Sequence, residues 1–401
     1  MNTKLEHNTL TIFLEGRIDS NNAAQTETEL LAVLAKAPQG ATVRLDAGKL
    51  EYISSAGLRA LMKLRKTYGK PLAVWNVSPE VYDIFEVTGF NELLEVHKRL
   101  REISVEGCSL LGEGANGKVY RLTPDQIVKV FRPTIRFGVI EAEREASRRA
   151  FLLGVPCAIA FDTVRCGDSL GTVYELLDAA TVTERIRENP ETLDHYAAAT
   201  AELLKSLHGI EVPEGQMPPA DHIFRGTLDA VAEDFTPEEN ALMRAFCDAI
   251  PKGDRFIHND FHAKNILESG GELQLIDLGD AGRGSPLIDL IHCRLVYRMI
   301  GSGQREPDAI GFIGLTYAEM DRFWDVFLTT YCGSEEKAKQ LDEKLAPYSE
   351  LMYRTVSMAH PMLPKEYHAM YADALRKTVF PQLPEQMGDL AALGDLLPEL
   401  S

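Results

Sequence analysis

The chain has 401 residues, 45% of them hydrophobic and 25% charged, with 42 Lys/Arg against 60 Asp/Glu for a formal net charge of −18. A chain of this length can bury cores in two or three domains, and its acidity argues against a nucleic-acid partner, which needs Lys/Arg to neutralise phosphates. No apolar run approaches the roughly 20 residues that span a bilayer, the N-terminus lacks a hydrophobic signal core, and the six cysteines show no CxxC or metal-like spacing; these features imply a cytoplasmic protein with reduced thiols and no membrane partner.

The first hundred residues alternate strand-like and helix-like periods. Strands are predicted from Leu10 to Gly16, Ala41 to Leu45 and Pro71 to Val77, and helices from Asn21 to Ala37, Ser55 to Tyr68 and Pro79 to Phe90. This is a small α/β domain spanning 1–98. The run Tyr52-Ile-Ser54-Ser55-Ala-Gly57-Leu-Arg opens the second helix, where a serine side chain can cap free backbone amides. A charged stretch, His97 to Ile103, marks the junction to the next part. Up to residue 98 there are 11 Lys/Arg and 12 Asp/Glu, so nearly all the acidity belongs to the remainder. That balance mildly favours a cationic small-molecule substrate, beside the plainer reading of solubility.

From Gly107 the pattern becomes short strands around a glycine loop. Leu111-Gly-Glu-Gly-Ala-Asn-Gly-Lys-Val-Tyr120 reads GxGxxGxV and is flanked by strands on both sides, whereas a dinucleotide-binding loop would open a helix. Gly112, Gly114 and Gly117 would let backbone amides close over phosphates, and Lys129, in the strand Gln126-Ile-Val-Lys-Val-Phe131, would contact the α- and β-phosphates. Lys129 needs an anionic partner, and the helix predicted over 138–153 offers Glu141, Glu143 and Glu145. Glu145, nearest the middle of the helix, is favoured, with Glu141 as runner-up. The strand Thr172-Val-Tyr-Glu175-Leu-Leu177 leads into a polar helix, so backbone groups of Glu175 and Leu177 are expected to meet adenine.

The most informative segment is His258-Asn-Asp260-Phe-His262-Ala-Lys-Asn265, followed by an apolar strand ending at Asp277. Phosphoryl transfer needs a carboxylate that orients the attacking hydroxyl and oxygen ligands that hold Mg²⁺ against the triphosphate. HxDxxxxN followed by a strand-terminal Asp supplies all three. Only eleven residues separate Asp277 from Asp289, too few for a peptide-docking activation segment, which favours a small-molecule acceptor. Asp280 is read either as a cation holder or as a turn cap. Residues 305–380 are expected to form long helices with Phe312, Tyr317, Phe323, Trp324, Phe327 and Tyr331 mainly in the core. The tail, with Leu390, Leu393, Leu397 and Leu400, is read as a short terminal helix.

From about Gly107 onward the chain resembles the aminoglycoside phosphotransferase and choline kinase branch of the protein-kinase-like fold. The resemblance implies ATP and Mg²⁺ as cofactors, a lobe over 107–178 and a second lobe over 179–401 with a helical substrate region. It further implies Asp260 as catalytic base, Asn265 and Asp277 as metal ligands, and His258 as the brace of the catalytic loop. His262 stands where this branch usually has His two after the catalytic Asp, and Asp289 matches the buried Asp supporting the loop from below. Arg294, Tyr297 and Arg298, on the helices after the metal-binding Asp, would help set specificity. The first domain resembles the STAS domain of anti-sigma-factor antagonists, which implies Ser55 as a regulatory phosphorylation site and a protein partner; Ser54 stands where that family often has Asp. Three readings result: a small-molecule phosphotransferase with a regulatory or docking STAS domain, a serine kinase acting on STAS domains (its own Ser55 or a partner's), and a non-catalytic nucleotide sensor.

Overall fold

The computed structural model describes all residues except 7, 115, 301–312, 361–363 and 399–401. Phe312, Leu400 and the start of the 305–380 region therefore lie outside the described residues. The chain divides into two compact units, Met1–Ile103 and Ser104–Ser401.

In the first unit, β1 (Asn2–Glu6), β2 (Thr9–Ile18), β3 (Thr42–Ile53), β4 (Ala73–Val77) and β5 (Glu95–Lys98) lie side by side in that order. The β1/β2 pair is antiparallel and the others are parallel. Helices α1 (Ala23–Ala35), α2 (Ser55–Tyr68) and α3 (Pro79–Val87) connect the parallel strands. Ile12, Leu14, Leu45, Leu61, Val74 and Phe85 fill the core between the two layers. The periodicity did not disclose β1, because every residue of this edge strand is exposed and carries no apolar alternation. Strand β3 runs eight residues past the predicted end at Leu45. Gly48 sits where the β2/β3 register shifts, and its N–H donates to Asp46 Oδ1 at 2.8 Å. The charged stretch read as a junction begins inside β5. A two-residue strand, β6 (Arg101–Glu102), follows it.

At the start of α2, Ser54 is the N-cap, its Oγ accepting from Gly57 N–H at 3.4 Å. A Cβ on Gly57 would press within 2.7 Å of both Ile18 and Ile53, so glycine lets the first turn seat against β2 and β3. Ser55, the first helical residue, is left exposed.

In the second unit, β7 (Leu110–Glu113), β8 (Gly117–Arg121), β9 (Gln126–Phe131), β10 (Ala160–Cys166) and β11 (Ser169–Glu175) pair antiparallel in the order β10-β11-β9-β8-β7. Helix α4 (Phe137–Leu152) packs on β10 and β11. After β12 (Ala180–Thr181) come α5 (Val182–Glu188), α6 (Leu193–Gly209), α7 (His222–Ala230) and α8 (Pro237–Ala249). Two short ladders follow: β13 (Arg255–Ile257) pairs with β16 (Gly282–Gly284), and β14 (Ile266–Ser269) lies between β12 and β15 (Glu272–Leu275). The chain continues through α9 (Leu287–Arg294), α10 (Tyr317–Cys332), α11 (Glu335–Ala359), α12 (Lys365–Thr378) and α13 (Leu383–Asp389). Phe323, Trp324, Phe327 and Tyr331 lie on the buried face of α10, which packs against α6. The tail forms α13 and a 3₁₀ segment, Leu390–Leu396, whose Leu390 and Leu393 are buried within this unit. Among the described residues no helix is long and apolar enough to cross a membrane.

Candidate active site

The loop between β13 and β14 carries His258 to Asn265, and the turn after β15 carries Asp277 to Asp280. Burial and hydrogen bonds fix the first loop from below. Asp289, fully buried in the first turn of α9, accepts from His258 N–H at 2.9 Å and Asn259 N–H at 2.7 Å. It also accepts from His208 Nε2 at 3.1 Å, and the other ring nitrogen of His208 accepts from Tyr331 OH at 2.7 Å. Burial alone would raise the Asp289 carboxyl, but His208 and the His258 amide hold it below its ordinary value. His258 lies under the loop, its Nδ1 accepting from Asp260 N–H at 3.3 Å, and burial pushes its imidazole below the usual range.

Asn259 and Asp277 both adopt left-handed backbone, with φ of 66° and 60°. This conformation costs about 1–3 kcal/mol for a residue with a side chain. Neighbouring groups sustain it at Asn259, whose Nδ2 donates to the carbonyls of Ala220 and Asp280, both at 2.9 Å. Asp260 thus emerges from a backbone held on both sides. Its Oδ2 accepts from Asn265 Nδ2 at 2.9 Å, while Oδ1 has His262 Nε2 at 3.4 Å and His292 Nε2 at 3.6 Å. Burial would raise the Asp260 carboxyl, but His262, His292 and His258 hold it well below the ordinary carboxylate range, so it stays ionised. The sequence reading passed over His292. It stands three residues after Asp289 in α9, a spacing that brings both onto one side of the helix.

On the opposite side, Lys129 Nζ lies 2.8 Å from Glu143 Oε1 and 3.1 Å from Asp277 Oδ1. Burial alone would depress its ammonium, but the Asp277 and Glu143 carboxylates raise its pKa above the ordinary value. The partner is therefore Glu143, and the assignment to Glu145 is corrected. Glu143 is buried on the sheet-facing side of α4 with Ile140, Ser147 and Ala150. Glu145 points elsewhere and binds Arg148 and Arg149 at 2.8 and 2.7 Å, Arg148 chiefly bringing its pKa down to about 2. Glu141, the runner-up, pairs with Arg144. Tyr174 OH donates to the same Glu143 oxygen at 3.2 Å.

The three loop glycines differ. A Cβ on Gly112 or Gly114 would meet open space, whereas one on Gly117 would collide with the Val130 carbonyl of β9. Gly117 is thus required by strand packing. At the end of β11, Glu175 N–H donates to Ile159 O and Leu176 N–H to Asp125 O, both at 2.9 Å, which fixes the backbone around Glu175 and Leu177. Arg294, Tyr297 and Arg298 are each engaged by side chains or backbone within this unit. Arg294 binds Asp342 and Ser349, Tyr297 OH accepts from Ala263 N–H in the core, and Arg298 binds Asp321 and Asp325. Asp280 makes no side-chain hydrogen bond or ion pair with the described residues. Burial, with the nearby Asp260 and Asp277 carboxylates, pushes its pKa up to about 6.

The sequence pattern of the phosphotransferase enzyme family matches residues 107–323, and that of the Mlab-type STAS domain matches residues 1–95. An anti-sigma factor antagonist, BtrV, of Bordetella bronchiseptica is 40% identical over 87 residues, covering 21% of this chain and 72% of that protein. Among solved structures, the ADP-bound aminoglycoside phosphotransferase APH(2'')-Ib is 16% identical, with a TM-score of 0.47 over 74% of this chain and 97% of its own. A choline/ethanolamine kinase family protein from Mesorhizobium loti is also 16% identical, with a TM-score of 0.43 over 71% and 92% of the two chains. The chain belongs to the phosphotransferase enzyme family and carries a STAS domain at residues 1–95.

Proposed function

We propose that this phosphotransferase moves the γ-phosphoryl group of ATP, with Mg²⁺, to a hydroxyl of a small molecule, and that its STAS domain regulates or docks it. The observation that carries this reading is the convergence of an ionised Asp260, held by Asn265, with Asp277 and the Lys129–Glu143 pair. Asp260 Oδ1 lies beyond hydrogen-bond distance of one of its imidazoles and at the limit for the other, leaving it able to accept the proton of an acceptor hydroxyl. Lys129 would neutralise the α- and β-phosphates under the open space at Gly112 and Gly114, and the backbone of Glu175 and Leu177 would meet adenine. Asn265 turns its Nδ2 to Asp260, so its amide oxygen and the Asp277 carboxylate form a hard-oxygen donor set that fits Mg²⁺. Bound there, the ion would neutralise charge on the transferring group. His262, beside both Asp260 and Asn265, would steady that arrangement.

ATP turnover with a panel of hydroxyl compounds, amines included, tests the reading. Asp260→Asn should lower turnover by about 10²–10⁴-fold while nucleotide affinity is kept, and full activity in that variant would sink it. A second reading, that the domain phosphorylates STAS serines, draws on the exposed Ser55 at the first helical position of α2. Intact mass before and after Mg-ATP, with Ser55→Ala alongside, decides it.

A further inference from the structure

Glu143 is the meeting point of three separately encoded elements. From β9 comes the Lys129 ammonium, 2.8 Å from Oε1; from β11 comes the Tyr174 hydroxyl, 3.2 Å from the same oxygen. From the turn after Asp277 comes Gly279, where an added Cβ would lie 3.1 Å from Glu143 Cγ. Behind the glutamate, Ser147 Oγ donates to the Glu143 carbonyl at 3.2 Å, one turn along α4. Tyr174 is the last residue of β11 before Glu175, so its backbone belongs to the sheet while its hydroxyl reaches the helix. Burial and the adjacent Glu143 carboxylate keep the phenol protonated, and it can only donate to that carboxylate.

We propose that Tyr174 is a positioning residue that holds Glu143 toward Lys129, so that the lysine stands ready without an activating modification. The inference rests on the nucleotide-site reading above. Two donors on one carboxylate oxygen explain why a single ion pair is not left to hold α4 against the sheet. A lysine that also faces Asp277 at 3.1 Å could otherwise exchange Glu143 for that carboxylate and carry α4 out of register. The eleven residues between Asp277 and Asp289 are too few to form a long segment there whose ordering could set the position of α4 instead. The hydroxyl on β11 substitutes for such a segment, and the arrangement is fixed at folding.

The test uses the full chain with Tyr174→Phe, Glu143→Gln and the double variant. ADP affinity with MgCl₂ is read by calorimetry, amide exchange across Phe137–Leu152 is read without nucleotide, and melting temperature serves as the folding control. Tyr174→Phe should weaken ADP about 3–10-fold, the net worth of one ordinary hydrogen bond. It should also speed exchange in α4 at nearly unchanged melting temperature. In the Glu143→Gln background it should add almost nothing, because the hydroxyl acts through that carboxylate. Equal weakening in both backgrounds, or unchanged α4 exchange, would overturn the proposal. A wild-type protein that binds no ADP would sink the nucleotide-site reading instead, and the exchange measurement, which needs no nucleotide, would still decide Tyr174.

Discussion

Two carboxylates brace this site from opposite sides, and they are built differently. Asp289 is fully buried, receives only protein N–H groups, and fixes the backbone of the catalytic loop. Glu143 lies between α4 and the sheet and receives side-chain donors, the Lys129 ammonium and the Tyr174 hydroxyl. The first carboxylate belongs to folding, because its donors exist in every state of the folded protein. The second, under the proposed function, belongs to binding, because Lys129 would there act on a nucleotide. Asp289 without its charge leaves two backbone amides and an imidazole poorly paired at once, whereas Glu143 without its charge leaves a lysine that Asp277 can still satisfy.

Asp289→Asn should therefore give the largest effect, about 3–5 kcal/mol of lost stability by denaturant unfolding. Glu143→Gln should leave the unfolding midpoint close to wild type and weaken nucleotide by roughly tenfold. If it instead unfolds the protein as Asp289→Asn does, the division between folding and binding carboxylates fails. Asp280 extends the series to a carboxylate that nothing in its surroundings anchors. Its pKa is raised from the ordinary 3.8 to about 6, so the folded chain binds that proton more tightly than the unfolded one. Stability is then lost as pH rises from about 4 through about 6. Asp280→Asn should raise the melting temperature at pH 7.5 by an amount worth roughly 1 kcal/mol or less, because the residue stays exposed even though neighbouring groups crowd its carboxyl, so water screens much of the repulsion, and give no gain at pH 4. A gain at both pH values would show that charge is not the cause. Glu145→Gln is expected to be the smallest, under about 1 kcal/mol at neutral pH, because its pairs with Arg148 and Arg149 are surface pairs. Nucleotide affinity should not move.

The same pair of glutamates shows where the sequence was legible. Contiguous motifs whose chemistry is local could be read directly: the strand–loop–strand around Asp260, the glycine run between strands, and the three helices of the first unit fall close to where periodicity and spacing put them, whereas the exposed β1, the long β3 and the short β5 do not. Choosing a partner for Lys129 required a contact between elements, and nearness to the middle of the helix is not a physical selector. The helical period is one. Ile140, Glu143, Ser147 and Ala150 share the buried face of α4, and Glu145 has arginines three and four positions on to satisfy it locally. Tyr174 and His292 carried no motif of their own, and their roles appear only once β11 meets α4 and α9 meets the catalytic loop. The partners of Arg294 and Arg298 were likewise out of reach of the sequence. Their acidic partners lie in α10 and α11, and periodicity could not say that both guanidiniums turn toward those helices.

The Tyr331–His208–Asp289 relay bears on where the catalytic unit ends. The family match stops at residue 323, inside α10, yet Tyr331 lies on the same helix two turns further and supplies the proton that fixes the ring of His208. A fragment cut at that boundary would keep every residue of the HxDxxxxN motif and lose the donor that orients the imidazole beneath it. Ending the chain at the family boundary is therefore expected to loosen the ring that supports Asp289 without removing any motif residue.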